Sequence, residues 1–456
     1  AFVAQALSLL AADLTHTTLP QSLANVKVSD AAAASGISES DLQRLAQIFV
    51  SASRKVALPG GCALGHTNGL AAAENILLLN ILAGNLGQEG GLFMMPDFPI
   101  YPDLVNRPST LAEAKALVDK MNNGQIKTLL VHGANPVYEL PKALGFEEAI
   151  KKVGQVISFA SFPDETALQA DYVLPDHTPL ESWGYQKVST GSDRPVVSGL
   201  QPVVVPIYNT RSTADVLLAA VQAAGGKLAA ALSYSDEVAF LQKSTTVLSE
   251  QAGFYSAPDE KAFWTRWQQL GGWWKNAPGL VSPAPSLASD QSLSPQPAAF
   301  SGDAQQYPLY LLPFPHPNLG DGHGANRPWL QETPDPMTSV MWNTWVEINP
   351  QTAAKLGVQS DDVVKISSPT GTIEAVVYEY PAIHPGVIAI PFGQGHTALG
   401  RYAKGRGANP LDLVDPKQNE AGDLAFMATR VKVTPTGRRS PLARYESEEG
   451  VYQNKK

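Results

Sequence analysis

Apolar positions along the chain follow two different periods, and the change from one to the other divides it. Residues 71–87, AAAENILLLNILAGNLG, repeat apolar side chains every three to four positions and end in Gly84 and Gly87, which predicts a helix with a glycine stop. KVALPGG (55–61), just before, predicts a short strand running into glycines. Thr110 and Glu113 fit a capping box that opens the helix LAEAKALVDKMNN, and Gly124 is placed to close it. KTLLVHG (127–133) and QVISFAS (155–161) predict buried strands on either side of a helix over 141–152, and ADYVLP (170–175) predicts a further strand. TADVLLAAVQAA (213–224) is helical again, with Ser212 or Thr213 as cap and Gly225–Gly226 beyond it. Strand alternating with helix predicts an α/β fold with a parallel sheet covered by helices.

Residues 234–275 interrupt the alternation. KAFWTRWQQLGGWWKN places four tryptophans within residues 264–274, a pattern that favours a packing or docking surface over a cofactor box. The stretch 277–303, rich in Pro, Ser and Ala, shows neither period and predicts a linker or extended arm. Beyond it the pattern is that of strands. Asn349 and Pro350 start a short helix that ends at Gly357, DDVVKISS turns through PTG into TIEAVVYEY, and PGVIAIP (385–391) is a buried run. Strand, short helix, strand, turn, strand predicts a small closed barrel. The domains expected are 1–233 for the α/β region, 234–303 for the tryptophan-rich helical segment and linker, and 304–436 for the barrel. A polar tail, 437–456, is expected to wrap a partner or stay disordered.

Composition narrows the possibilities. A chain of 456 residues has room for about three domains, and 44% hydrophobic residues supply a sizeable core. Only 16% of residues are charged, against about 25% in an average globular protein, and there are 36 prolines and 37 glycines. Two readings fit this: a surface facing other proteins, or a loop-rich fold. A net charge of −9 argues against a general nucleic-acid binder. The single cysteine, Cys62, excludes an internal disulfide, a thiolate zinc cluster and a Cys-ligated iron–sulfur cluster in this chain, and its default reading is an inert buried thiol. Apolar runs are broken by Asn80 or Asp215 before the roughly 18 residues of a spanning helix, so no direct membrane span is expected. The first residues, AFVAQALSLLAADL, read as the middle of a helix, which leaves room for sequence upstream.

The candidate chemistry lies at loops. VHGANPVYELP (131–141) sets Gly133, Asn135 and Pro136 at the carboxyl end of a strand, where parallel sheets bind ligands; an ordinary Asn-Pro turn has the same composition. FPDETALQADYVLPDHTPLESWG carries Asp164, Glu165, Asp171, Asp176 and Glu181 with His177. Paired carboxylates suit acid/base work, but Asp164 can cap a helix and Asp176 a turn, and no nucleophile–base–orienter set is visible. Eight histidines are scattered without an HExxH pattern, so no metal site is predicted; His66 reads as structural or as lying near a ligand edge. PFGQGHTALGRYAKGRGANP (391–410) crowds five glycines between His396, Arg401, Arg406 and Asn409, the composition of a loop that closes on an anion.

The order of LNILAGNLGQEGG, VHGANP, DETALQADYVLPDHTPLESWG, INPQTAAKLGVQSDDVVKISSPTG and HPGVIAIPFGQGH resembles the molybdopterin oxidoreductase superfamily of the DMSO reductase type, over residues 40–435. The resemblance implies parallel-sheet α/β domains followed by a double-psi β-barrel, enclosing a molybdenum bis(pterin guanine dinucleotide). It implies that Gly133, Asn135 and Pro136 lie against a phosphate or ribose and that Asp164, Thr166 and Asp171 lie near a guanine edge. His323, Asn326, Gly395, His396 and Asn409 would close over the other side. No cluster-binding cysteine motif and no Ser, Cys or Asp metal ligand is identifiable. DHTPLESWG and GQGHTALGRYAKGRGANP look most like the large extrinsic subunit of alternative complex III, which keeps the fold without the cofactor. The expectation is a non-catalytic scaffold at the periplasmic face of a quinol-oxidising complex, beside an iron–sulfur protein, multihaem cytochromes c and a quinone-binding membrane subunit. Arg401, Lys404 and Arg406 would then bind neighbouring chain or carboxylates. The alternative is the C-terminal portion of an active molybdenum enzyme such as a polysulfide- or thiosulfate-type reductase.

Overall fold

The structure, a computed structural model, describes residues 1–18, 21–94, 100, 107–188, 191–280 and 296–445. They form two compact units, one from residues 1–59, 72–108 and 174–294, the other from 60–71, 109–173 and 295–456. Among the described residues no helix is long and apolar enough to cross a membrane.

In the first unit, helices Phe2–Thr15, Val28–Ser35 and Glu39–Ser51 meet through Ala6, Ala31 and Leu42, the two small alanines leaving room for the leucine. Ser38 starts the third by accepting the Asp41 N–H. The helix predicted over 71–87 is Gly69–Leu82, and its Leu78 and Leu82 pack on Ala12 and Leu23. The strand expected at KVALPGG does not form. Ala57 instead donates its N–H to Asn80 Oδ1 (2.8 Å) and accepts from Asn80 Nδ2 (2.7 Å), while Lys55 O accepts from Asn85 Nδ2 (2.6 Å). Two side-chain amides take the place of a neighbouring strand, so the backbone groups are satisfied without a ladder.

The tryptophan-rich segment is a packing surface. Asp259 caps helix Glu260–Leu270, and the strand Gly272–Trp274 completes an antiparallel sheet with Gly184–Lys187 and Val196–Leu200. Trp267 and Trp273 fill its core with Val197, Leu248 and Phe263. Gly199 is obligatory there, since a Cβ would sit 2.4 Å from Trp267 Nε1. Most of the predicted linker, 281–295, lies outside the described residues. Ser212 is the cap of helix Thr213–Ala224, accepting from Asp215 N–H.

The second unit contains a parallel sheet of β1 (Thr128–Val131), β2 (Gln155–Ser158) and β3 (Tyr172–Val173), in that order. The capping box forms: Glu113 N–H donates to Thr110 Oγ1 (3.2 Å) and Thr110 N–H to Glu113 Oε2 (2.8 Å), opening helix Leu111–Asn122. Its Leu111, Val118 and Met121 pack against Phe146, Ile150 and Val156. The single helix expected over 141–152 is instead Pro136–Glu139, a turn Lys142–Leu144 and Phe146–Ile150. Pro141 and the left-handed Gly145 (φ 77°) break it.

The barrel closes as expected. Strands β4 (Leu309–Pro315), β5 (Trp345–Ile348), β6 (Asp362–Ser367), β7 (Thr372–Glu379), β8 (Val387–Phe392) and β9 (Arg430–Arg439) join in the order β6-β7-β5-β8-β4-β9, with β9 returning to β6. The pairs β7–β5 and β8–β4 are parallel, and the other four are antiparallel. Alternate residues such as Ile373, Ala375 and Val377 point inward to Leu311, Val346, Val364 and Ile388. Helix Pro350–Leu356 begins at Asn349, which accepts the Gln351 N–H, and ends at Gly357 (φ 68°). The first residues of the polar tail belong to this barrel, a correction to the expectation. Arg438 and Arg439 pair opposite Val363 and Asp362 in the barrel, and Ala443–Arg444 pairs with Val340–Met341 in a separate two-stranded sheet. Main-chain pairing holds them, together with ion pairs from Arg438 to Glu374 and Arg439 to Asp362, so polarity was no guide; residues 446–456 lie outside the described residues.

Candidate functional site

Within the second unit, the loop that follows β2 meets the glycine-rich loop that follows β8. Asp164 Oδ1 accepts the Ala167 N–H at 2.7 Å and so starts the turn Ala167–Gln169; burial pushes its carboxyl up, against that hydrogen bond. Asn135 reaches across from the end of β1. Its Oδ1 accepts from Thr166 Oγ1 (2.7 Å) and Thr166 N–H (3.1 Å), and its Nδ2 donates to Glu165 Oε2 (2.7 Å). Thr166 Oγ1 in turn accepts the Val137 N–H at 3.1 Å.

Glu165 is the hub. Its Oε1 accepts from Thr397 N–H (2.7 Å) and Ala398 N–H (2.8 Å), and His396 Nδ1 lies 3.2 Å from both carboxylate oxygens. His396 Nε2 is 3.2 Å from Gly322 O, so both ring nitrogens lie against oxygen atoms. Burial opposes ionisation of Glu165, but the bonds from His396, Asn135 and Ala398 outweigh it and hold the carboxyl at about 2. The Tyr138 ring stacks on His396 at 3.8 Å and 13°. Tyr138 Oη donates to Gln394 O (2.9 Å) and accepts the Gly393 N–H (3.1 Å); burial pushes this phenol upward. Asn409 closes the network, its Nδ2 donating to Tyr138 O (2.9 Å) and its Oδ1 accepting the Leu411 N–H (3.0 Å).

The structure therefore gathers Asn135, Thr166, Gly395, His396 and Asn409 into one buried joint. Gly395 belongs because a Cβ would lie 2.3 Å from Asn409 N. Asp171 tethers β2, its Oδ2 accepting the Val156 N–H at 2.7 Å. Gly133 (φ 61°) turns the chain beyond β1, ahead of Pro136, the first residue of its short helix. His323 is partly exposed, its Nδ1 2.9 Å from Asp321 and its Nε2 3.4 Å from Glu139. Asn326 Oδ1 accepts the Tyr402 N–H at 3.1 Å. Cys62 is exposed, which corrects the buried-thiol expectation: it sits in the turn Gly61–Leu64, behind glycines with open space around them. His66 lies edge-on to Phe300 at 5.9 Å, and burial lowers its pKa.

Two functional side chains escaped the sequence reading. Glu165 stood there among several carboxylates and Tyr138 not at all, because the contact to His396 spans 231 positions. The recess beside the joint, lined by Pro136, Tyr138, Lys142, Thr397, Asn409 and Asp412, measures about 140 Å³. That is below the roughly 300–1,000 Å³ of pockets that take a drug-sized ligand. As arranged here, the side chains of Asn135, Thr166, His396 and Asn409 bond one another and the backbone.

Two family models match this chain: Molybdopterin oxidoreductase over residues 10–221, and Molydopterin dinucleotide binding domain over residues 326–422. The chain belongs to the molybdopterin oxidoreductase family. Asn135, Asp164, Thr166 and Asp171 fall under the first model, and Asn326, Gly395, His396 and Asn409 under the second. Among curated relatives, the menaquinone reductase molybdopterin-binding-like subunit of Nitratidesulfovibrio vulgaris is 29% identical, over 86% of this chain and 54% of its own length. A tetrathionate reductase subunit of Salmonella typhimurium is 24% identical, over 88% of this chain and 51% of its own. The chain thus spans about half the length of the curated relatives it matches. Acetylene hydratase from Pelobacter acetylenicus shares the fold, with a TM-score of 0.68 at 15% identity, covering 95% of this chain and 70% of that one.

Proposed function

We propose that this chain is a scaffold subunit, not itself catalytic, of a membrane-bound quinol-oxidising electron-transfer complex of the alternative complex III type, and that it holds no molybdenum cofactor. The observation that carries the reading is the joint around Glu165, where residues expected to cradle the dinucleotide bond one another instead. The relative described as molybdopterin-binding-like is a subunit of a menaquinone reductase, which agrees with that role. We place the chain at the periplasmic face, beside an iron–sulfur protein, multihaem cytochromes c and a quinone-binding membrane subunit. Metal analysis of the purified complex tests it. Molybdenum and tungsten are expected far below one per chain; a stoichiometric amount of either overturns the proposal.

A second reading has its own support. Similarity to a tetrathionate reductase, together with the dinucleotide-binding model over 326–422, suits part of an active molybdenum oxidoreductase, such as a polysulfide- or thiosulfate-type reductase. On that reading the residues described here would only line the pterins, and acid hydrolysis of the purified protein would release GMP in stoichiometric amount.

A further inference from the structure

The inner side of loop 393–409 is pinned by Glu165, and its outer side carries cations that the chain leaves uncompensated. Arg401 lies 4.7 Å over the Tyr402 ring, with Nη2 donating to Tyr402 Oη at 2.7 Å. Arg406 lies 4.4 Å over the Trp342 ring, and its Nε is buried with no hydrogen-bond partner among the described residues. Lys404 is exposed, and so is Arg327, which follows Asn326, the acceptor of the Tyr402 N–H. Among the described residues none of these four cations has a carboxylate within 4 Å; the nearby Asp321 and Glu139 pair with His323. Some other arginines of the described chain, among them Arg44, Arg194, Arg438, Arg439 and Arg444, do face an acidic side chain, and the net charge of the chain is −9.

Two further features set this face apart. Trp329, two residues after Arg327, is 66% exposed. Arg, Trp and Tyr are side chains enriched at protein interfaces. The backbone is also held in unfavourable conformations: Ser339 (φ 58°), Trp342 (φ 61°) and Leu399 (φ 69°) are three of the five non-glycine residues with positive φ in the described chain. Such conformations persist where the surroundings over-determine them, and they collect at sites of recognition.

We propose that this face docks a carboxylate-rich surface of a partner subunit. Arg327, Arg401, Lys404 and Arg406 meet the partner's carboxylates, and Trp329 and Trp342 pack against its apolar centre. A surface that gathers unpaired cations calls for a partner of opposite charge, and the rigid loop loses little freedom on binding. Docking of this kind rests on the scaffold reading, which metal analysis tests on its own: stoichiometric molybdenum sinks that reading whatever the subunits do.

The experiment is charge reversal in the intact complex. R401E/K404E is compared with K115E/K120E, which alters exposed lysines on helix Leu111–Asn122, and with the neutral pair R401Q/K404Q. Complexes are purified by size exclusion over a salt series, their subunits are quantified by mass spectrometry, and thermal unfolding reports the fold. The reversal pair is expected to lose one defined acidic subunit by about tenfold or more near 0.15 M salt, the neutral pair to lose less of the same subunit, and the lysine control none. Retention of every subunit by R401E/K404E up to the salt that dissociates the unaltered complex overturns the proposal. So does calorimetric binding of GDP to the unaltered complex that R401E/K404E abolishes, since the face would then be a nucleotide site.

Discussion

Glu165 shows how one side chain can hold two loops that are remote in sequence. Its folded value of about 2 lies below the ordinary 4.5, so its contribution to stability is fully present above pH 4.5 and is lost as pH falls toward 2. The loss amounts to about 3 kcal/mol, and urea unfolding between pH 2 and 7 should show it, with Glu165→Gln flattening the profile over that window. Glu165→Ala strands His396, the Asn135 amide and the Thr397 and Ala398 N–H groups; a loss of about 1–3 kcal/mol or more is expected for leaving buried donors unsatisfied. Tyr138→Phe keeps the stack on His396 but leaves the Gly393 N–H without its acceptor, for an expected cost of about 1–3 kcal/mol. Glycines of the same loop differ by their surroundings. Gly395→Ala drives a Cβ to 2.3 Å from Asn409 N and should unfold the joint, whereas Gly405→Ala meets open space and should cost only the roughly 1–2 kcal/mol of a left-handed residue. Chemical denaturation of the pair measures the difference.

At the scale of elements, local chemistry was legible where a cap or a period decided the outcome. Thr110 with Glu113, Ser212 before Thr213, and Asn349 with Pro350 and Gly357 all start or stop helices by bonds to residues a few positions away. The alternation of β7 put Ile373, Ala375 and Val377 in the barrel core without further information. Errors fell where a distant side chain replaced a backbone partner. KVALPGG has the composition of a strand, yet Asn80 and Asn85 satisfy Lys55 and Ala57 in place of a ladder. Asn80→Leu removes both bonds to Ala57 with a side chain of similar size. Hydrogen exchange at Ala57 should then accelerate by at least about tenfold, without comparable change in helix Leu111–Asn122. The polar residues 437–444 err in the opposite direction, since Arg438, Arg439 and Arg444 join ladders through their main chain while their side chains reach acidic partners.

For the whole molecule, the order of motifs predicted the family, and the two matching models and the shared fold agree with it. A parallel sheet and a closed barrel followed from periodicity, because alternation and helical spacing are written into neighbouring residues. The presence of Asn135, His396 and Asn409 in candidate loops was equally readable. Whether those side chains face a ligand or each other was not, since a hydrogen bond between residues 135 and 165, or 165 and 396, depends on where two loops meet. The same holds for Arg401 and Arg406: their number was visible, but the lack of carboxylates around them and the rings beneath them exist only in space. Sequence alone thus determined most of the elements, the family and the residue types available for chemistry, which rest on local pattern and motif order. The tertiary structure decided which polar groups are satisfied and which stay open, because burial and long-range pairing set that balance and neither is a local property.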